Sequence, residues 1–240
     1  MKKDNILVLV AMEVEAKVLI EKFDSYEMKS KMGFTFYEGV VNNRNIILLL
    51  SGVGVINASS GLIVGIMEYN PSIVINYGIG GAMSKDIHTK DIIIGSSVSN
   101  INSYRTSILG EGEGSSPNSW ELLTFLSGET DRYIEYRTDD KLLDVANNIE
   151  YEYGNVILGK IGSGDVWNRE VDRILYLNDT YDIVVEDMES ISVYNLCYKY
   201  NIPCISFKVI SDNSLIGEEY NREVGIYLQE FICEYIDNIK

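Results

Sequence analysis

Short apolar runs separated by amphipathic stretches recur along the chain, and their alternation predicts its elements. Residues 6–11, 72–77, 182–185 and 204–210 are almost wholly apolar and predict strands buried on both faces, with further strands at 91–99 and 155–161. Residues 13–23 place Val14, Val18, Leu19 and Ile20 on or near one helical face, and residues 139–151 are amphipathic with the same period. Helices are also predicted at 57–68, 190–200 and 224–239. Residues 34–41 and 45–51 predict a strand pair around the turn-like Asn42-Asn43-Arg44. Buried strands alternating with helices imply a sheet covered on both faces, a three-layer α/β/α fold. The central sheet is expected to be mostly parallel, and the 37–47 hairpin makes it mixed.

One stretch interrupts the pattern. Residues 103–131 carry Gly110, Gly112, Gly114, Ser115, Ser116 and Pro117, then a short apolar patch of Trp120, Leu122, Leu123, Phe125 and Leu126. A loop of that length inside a compact domain is usually functional or mobile. No repeat, low-complexity tract or linker divides the 240 residues, so a single domain over 1–240 is expected.

The formal net charge of −16 argues against a nucleic-acid partner, because phosphate binding needs clustered Lys and Arg. A nucleoside without phosphates is tolerated by such a surface. Cys197, Cys204 and Cys233 form neither a disulfide framework nor a metal spacing, so no metal is expected. His88 is the only histidine, and a Ser-His-Asp triad would have to use it. No apolar run approaches the roughly 20 residues of a membrane span, and residues 1–5 lack the pattern of a signal peptide. A cytoplasmic protein without membrane contact is expected.

Ligands of open α/β sheets collect at the carboxyl ends of strands, and four segments place distinctive residues there. Ala11-Met12-Glu13-Val14-Glu15 follows the first strand, although an acidic first turn also complements a helix dipole. Ser51-Gly52-Val53-Gly54 and Asn76-Tyr77-Gly78-Ile79-Gly80-Gly81 are glycine-rich; such turns let a backbone approach a ligand, or simply turn tightly. Neither has the form of a nucleotide phosphate loop. Glu186-Asp187-Met188-Glu189-Ser190 reads either as a solvated helix start or, for Glu189, as a carboxylate near the buried mouth of the sheet, where a ligand's hydroxyl pair would satisfy it. Ile210-Ser211-Asp212-Asn213 offers Asp212 as a helix cap or as a buried carboxylic acid ready to donate a proton.

Taken in order, Ala-Met-Glu-x-Glu, Ser-Gly-x-Gly, Asn-x-Gly-x-x-Gly, Ser-Gly-Asp (Ser163 to Asp165), Met-Glu and Ile-Ser-Asp resemble the methylthioadenosine/S-adenosylhomocysteine nucleosidases of the nucleoside phosphorylase superfamily. The resemblance covers residues 5–99 and 139 to the C-terminus. It implies hydrolysis of a purine nucleoside, adenine leaving a 5′-substituted adenosine of the methylthioadenosine or S-adenosylhomocysteine type, without a cofactor. Asp212 is then the acid on purine N7, with Ser211 positioning it. Glu189 holds the ribose hydroxyls, Met188 packs beneath the sugar, and Glu15 orients the attacking water. Trp167 stands where the family places an aromatic residue on adenine, flanked by Val166 and Asn168. Val53 lies near the 5′ substituent, and Ile79 and Gly80 line the ribose and base site, with Met12 beside Glu15 in the first loop. A homodimer is implied as well, and the 120–126 patch is a candidate interface.

The departures are specific. The family's central segment is not recognisable between residues 100 and 139, Ile79 replaces a small polar residue, and Asn168 replaces an aliphatic one. Superfamily phosphorylases hold phosphate with arginines in the first glycine-rich loop and near 76–81, and this chain has none in either place. Phosphorolysis would need Arg105, Arg132 or Arg137 instead. A non-catalytic nucleoside-binding or storage role is the third alternative, and the retained Glu15, Glu189 and Asp212 count against it.

Overall fold

Alternate residues of the first strand leave the sheet on opposite sides. Ile6, Val8 and Val10 join a core with Leu19, Phe207 and Phe231, whereas Leu7 and Leu9 join a second core with Leu62 and Val193. A strand in that position must be apolar throughout, which is why its sequence is Asn-Ile-Leu-Val-Leu-Val. The computed structural model describes residues 5–114, 116, 118, 120–123 and 135–239. Phe125, Leu126 and Arg132 lie outside them.

The described elements run β1 (Asn5–Val10), α1 (Glu13–Glu21), β2 (Ser25–Lys31), β3 (Phe34–Val41), β4 (Arg44–Leu50), α2 (Val55–Tyr69), β5 (Ile73–Ala82) and β6 (Ile92–Asn100). They continue through β7 (Tyr104–Arg105), β8 (Glu121–Leu122), β9 (Glu135–Arg137), α3 (Asp140–Ala146), β10 (Val156–Ser163) and α4 (Val171–Tyr181). Last come β11 (Ile183–Asp187), α5 (Ser190–Tyr200), β12 (Cys204–Asp212) and α6 (Gly225–Asn238).

The large sheet follows the order β11-β10-β6-β12-β5-β1-β4-β3-β2, with β9 added beside β6. It is mixed, as expected. β4, β1, β5 and β12 are mutually parallel, and so are β6, β10 and β11. The two parallel blocks meet antiparallel at β12 and β6. β11 also reaches back to β5, with Val185 opposite Ala82 and Glu186 opposite Gly81. Five strands thereby close into a ring, while β1 to β4 continue as an open wing. Helices α1, α3 and α6 cover one face and α2 and α5 the other, which makes the three layers. A smaller core joins Leu122 to Ile174 and Leu177 of α4, with Met83, Ile101 and Ile183.

The structure departs from the expected elements where polarity or glycine hides a strand. β2, Ser-Tyr-Glu-Met-Lys-Ser-Lys, is an edge strand that is mostly exposed, and its lysines suit an edge that must not recruit another chain. β5 does not end at Tyr77 in a glycine-rich turn; it runs on through Gly78 to Ala82 as strand. β11 likewise includes Glu186 and Asp187, and β12 includes Ser211 and Asp212. Helix α4 was not apparent in the sequence. The expected turn at Asn42-Asn43 is present, with both residues at positive φ (48° and 65°), as a tight right-twisted hairpin requires. In the 103–131 stretch β7 pairs with β8, and Trp120 stacks on Tyr104 with centroids 4.8 Å apart. All three cysteines are buried thiols, and no described helix is long and apolar enough to cross a membrane.

Gly80 marks the ring's closure. A Cβ there would lie 2.8 Å from the Glu186 carbonyl oxygen and 2.7 Å from Val185 Cγ2. Gly80→Ala must push β5 and β11 apart, so a loss of about 1–3 kcal/mol is expected. Urea unfolding followed by far-UV circular dichroism measures it; an unchanged midpoint would mean the seam is slack.

Candidate active site

Six strand ends converge on one cleft. After β1 come Ala11, Met12 and, in the first turn of α1, Glu15; after β4 comes Val53. The end of β5 supplies Ile79, Gly80 and Gly81, and the segment after β10 supplies Val166 and Trp167. Glu186, Asp187, Met188 and Glu189 come from the end of β11, and Ser211 and Asp212 from the end of β12. Tyr220, before α6, completes the wall.

Glu15 is buried because backbone amides replace its water. One carboxylate oxygen accepts from the N–H groups of Ala11 (3.2 Å) and Met12 (2.9 Å), and the other accepts from Ile79 (3.0 Å). Its place at the third position of α1 does complement the helix dipole, so the structural and functional readings coexist. Burial raises its pKa, opposed by Lys208 and by these amides. Gly78 is required here: a Cβ would lie 2.7 Å from the Glu15 carboxylate.

Glu189 is not a solvated helix start. It is 7% exposed and accepts a 2.9 Å hydrogen bond from the Gly54 N–H. Burial pushes its pKa up to about 7; Asp187 and Glu15 add to the shift, whereas Lys208 and the Gly54 N–H oppose it. Gly54 holds φ at 100°, and a Cβ on it would strike Asp165 at 2.8 Å. Ser163 and Asp165 have their own tasks. Asp165 accepts from the Val55 N–H at the start of α2 (2.7 Å), and Ser163 accepts from the Ile191 N–H in α5 (2.9 Å).

Beneath these groups lies Lys208, fully buried in β12. Its Nζ is 2.6 Å from Asp187 and 4.0 Å from Glu189. Burial alone would lower the lysine's pKa, but Asp187 and Glu189 more than offset it and the value is raised. Burial likewise disfavours charge on Asp187, yet Lys208 and the Ser163 and Ser190 hydroxyls bring its pKa below the usual carboxylate range. The pair is therefore ionised.

Asp212 is not a helix cap, because no helix follows until the 3-10 turn at Arg222–Val224. Instead β12 bulges against β5: Ile210 faces Gly80 and Asp212 faces Gly81, leaving Ser211 as the extra residue. A bulge re-aims side chains, and here it puts Asp212 on the cleft. The Ser211 hydroxyl donates to Asp212 Oδ1 at 2.6 Å, with the Gly80 carbonyl 3.1 Å away.

Trp167 is half-exposed and leans on Tyr220, ring centroids 5.4 Å apart, so it is not a core residue. Asn168 departs from expectation. It does not line the cleft but stands behind Glu186, donating from its backbone N–H to Oε1 (2.8 Å) and from its side chain to Oε2 (2.5 Å). Burial pushes Glu186 up to about 8, with Asp212 and Asp187 adding to the shift and Asn168 opposing it.

Of the expected site residues, Met12, Glu15, Val53, Ile79, Gly80, Val166, Trp167, Met188, Glu189, Ser211 and Asp212 all line this one cleft. Sequence reasoning missed Lys208, Asp187, Glu186 and Tyr220. A lysine inside the otherwise apolar strand 204–210 was the available signal for the first. Glu186 and Asp187 were hidden by ending their strand two residues early. His88 lies elsewhere, paired with Glu218 at 3.1 Å. Arg105 pairs with Glu121 and Arg137 with Glu135, and neither lines the cleft.

The sequence pattern of the Phosphorylase superfamily matches residues 5–232. The chain is 28% identical over 229 residues to the 5′-methylthioadenosine/S-adenosylhomocysteine nucleosidase of Staphylococcus carnosus, covering 95% of this chain and 92% of that one. It is 25% identical to the nucleosidase of the same name from Anoxybacillus flavithermus, with 94% and 92% covered. The solved structure of the Neisseria meningitidis nucleosidase with methylthio-immucillin-A superposes at a TM-score of 0.79, with 21% identity over 97% of this chain and 98% of that one. Native futalosine hydrolase of Helicobacter pylori superposes at 0.78, with 23% identity over 98% and 97%. At such identities the solved structures establish the fold.

Lys208→Met would leave Asp187 buried without its cation, and a loss of about 3–5 kcal/mol is expected. The sign of the pH dependence should also invert. In the wild type the depressed Asp187 pKa adds stability that is lost as pH falls through it. In the variant the carboxyl must be protonated to stay buried, so its contribution grows on acidification toward the ordinary Asp value. Urea midpoints from about pH 2 to pH 7 test both, since the wild-type loss falls below the ordinary Asp value; parallel curves for the two proteins would refute the assignment.

Proposed function

The chain belongs to the phosphorylase superfamily and is an enzyme of the nucleosidase kind, and on that premise we propose that it hydrolyses adenine from a 5′-substituted adenosine of the methylthioadenosine or S-adenosylhomocysteine type. The observation that carries this is the meeting of Glu15, Glu189 and Asp212 in one cleft that, among its described lining residues, has no arginine or lysine.

In this mechanism the purine lies against Trp167 and Tyr220 with N7 toward Asp212. Asp212 gives its proton to N7 as the C1′–N9 bond breaks, and the base leaves neutral. Ser211 keeps the carboxyl group aimed. Glu189 accepts hydrogen bonds from the ribose 2′ and 3′ hydroxyls, and its charge, held by Lys208 below, stabilises the developing ribosyl cation. Water bonds to C1′ while Glu15, fixed by three backbone amides, takes its proton. Met188 and Ile79 pack on the sugar, and Val53 at the exposed mouth faces the 5′ group. Carboxylates at the nucleophile position repel phosphate but polarise water, which favours hydrolysis over phosphorolysis.

The expected homodimer finds its support on α2 rather than at the 120–126 patch. Leu122 is buried in its own chain's core, whereas Ile56, Ile63 and Met67 share an exposed face of α2 beside Val53. Faces of this kind usually mark an interface. Sedimentation equilibrium should report a dimer, and Ile56→Glu should dissociate it; a monomeric wild type at high concentration would reject the assembly.

The chemistry is tested by base release from purine nucleosides with and without phosphate. Asp212→Asn keeps shape but not the acid, so kcat should fall by about 10²–10⁴-fold while substrate still binds. Glu189→Gln should damage both kcat and KM, and Glu15→Gln chiefly kcat. Because Glu189 must be ionised and its pKa is pushed up to about 7, kcat/KM should drop as pH falls below that value. Phosphate-dependent ribose 1-phosphate would indicate phosphorolysis, and binding without any base release would indicate a storage protein.

A further inference from the structure

Trp167 stands at the cleft with little packing to hold it. Its ring is 51% exposed, and it leans on Tyr220, itself half-exposed, and on the Arg169 guanidinium 5.4 Å from its centre. Residues 166–170 form neither strand nor helix before α4 begins at Val171. A ring placed in this way must be ordered before it can serve as a platform, and that ordering subtracts from affinity.

The chain is nonetheless pinned one residue further on. Asn168 donates from its backbone N–H to Glu186 Oε1 (2.8 Å) and from its side-chain amide to Oε2 (2.5 Å). Two hydrogen bonds from one residue to one carboxyl group fix both the position and the direction of the chain there. Glu186 can be the fixed end because it belongs to β11, opposite Gly162 of β10 and Gly81 of β5. At 6% exposure its side chain has no room to swing, and the mechanism gives it no other task.

We propose that Glu186 is a positioning residue that acts through Asn168 to hold the Trp167 ring ready for the purine. This role rests on the base lying against Trp167, as in the reaction above. Asn168 does not line the cleft and needs no contact with substrate; it passes the rigidity of β11 to the residue beside it. Ordering the ring in advance removes that cost from binding. The reacting atoms answer to Glu15, Glu189 and Asp212, so the effect falls on binding rather than on turnover.

The clamp tolerates either protonation state. Burial pushes the Glu186 pKa up to about 8, with Asp212 and Asp187 adding to the shift and Asn168 opposing it, so the acid form prevails at neutral pH. A carboxylic acid keeps an acceptor for the Asn168 N–H and offers its O–H to the side-chain amide oxygen once that amide turns over. A glutamine at position 186 presents the same donor and acceptor.

Trp120→Phe protein, whose sole tryptophan is Trp167, gives the first readout: fluorescence anisotropy decay without ligand. Asn168→Ala and Glu186→Ala should each add fast motion of the ring, on the nanosecond scale of exposed side chains. Glu186→Gln, which keeps both hydrogen bonds, should retain the decay of the parent. An unchanged decay in Asn168→Ala would overturn the proposal whatever the substrate. The second readout is base release. Asn168→Ala should raise KM by about two- to tenfold, the range of an aromatic contact, with kcat nearly unchanged. In a Trp167→Ala background the same substitution should raise KM no further, because the ring through which it acts is gone. An equal rise in both backgrounds would overturn the proposal too. Should the ring loosen but no base be released, it is the proposed reaction that fails, and calorimetric affinity for adenosine decides the same cycle. Absence of adenosine binding would then overturn the inference.

Discussion

The ammonium of Lys208, withdrawn from water and 2.6 Å from Asp187, is the charge against which the carboxylates of the cleft are arranged. Buried ion pairs of this kind contribute little to stability by comparison with well-packed apolar groups. Its value lies in what surrounds it. Glu15 and Glu189 both feel the cation, and without it three acidic groups would crowd one low-dielectric site. The lysine lets a chain of net charge −16 concentrate still more negative charge at the place where a positive transition state is to form.

Geometry supplies the rest through small backbone devices. The bulge at Ser211 turns Asp212 onto the cleft, and the missing Cβ atoms of Gly54, Gly78 and Gly80 leave room for Asp165, Glu15 and the β11 backbone respectively. These three glycines thus answer to a named neighbour rather than to a generic turn. The Ser-Gly-Asp motif acts similarly, since Ser163 accepts from the Ile191 amide in the first turn of α5 and Asp165 from the Val55 amide that opens α2, which anchors the two helix starts next to Glu189 and Val53.

The large elements were legible in the sequence because burial on both faces leaves an unmistakable apolar run, as in β1, β6 and β12. β2 was not, since an exposed edge needs no apolar face. The strand ends at Ala82, Asp187 and Asp212 were not, since polar and glycine residues there serve the cleft instead of the core. Eleven of the expected lining positions share the cleft, but Asn168 turned away to Glu186. Linear order could not show that pairing, which joins residues 18 positions apart, nor the antiparallel seam between β5 and β11, where Gly81 and Ala82 meet Glu186 and Val185.

That seam has a consequence for how the molecule comes into being. Residues 81 and 82 wait for partners at 185 and 186, and Glu15 shares its cavity with Asp212 and Tyr220. A chain emerging from the ribosome at roughly 5–20 residues per second can pair β1, β3 and β4 early, since all lie within its first 50 residues. The ring cannot close until β11 and β12 have been made. Up to that moment β5 pairs with β1 alone and its other edge has neither β12 nor β11 beside it, and an unpaired strand edge is prone to adhesion. Contacts of such long sequence separation form slowly, so the interval between synthesis and closure is when this chain has most need of a chaperone.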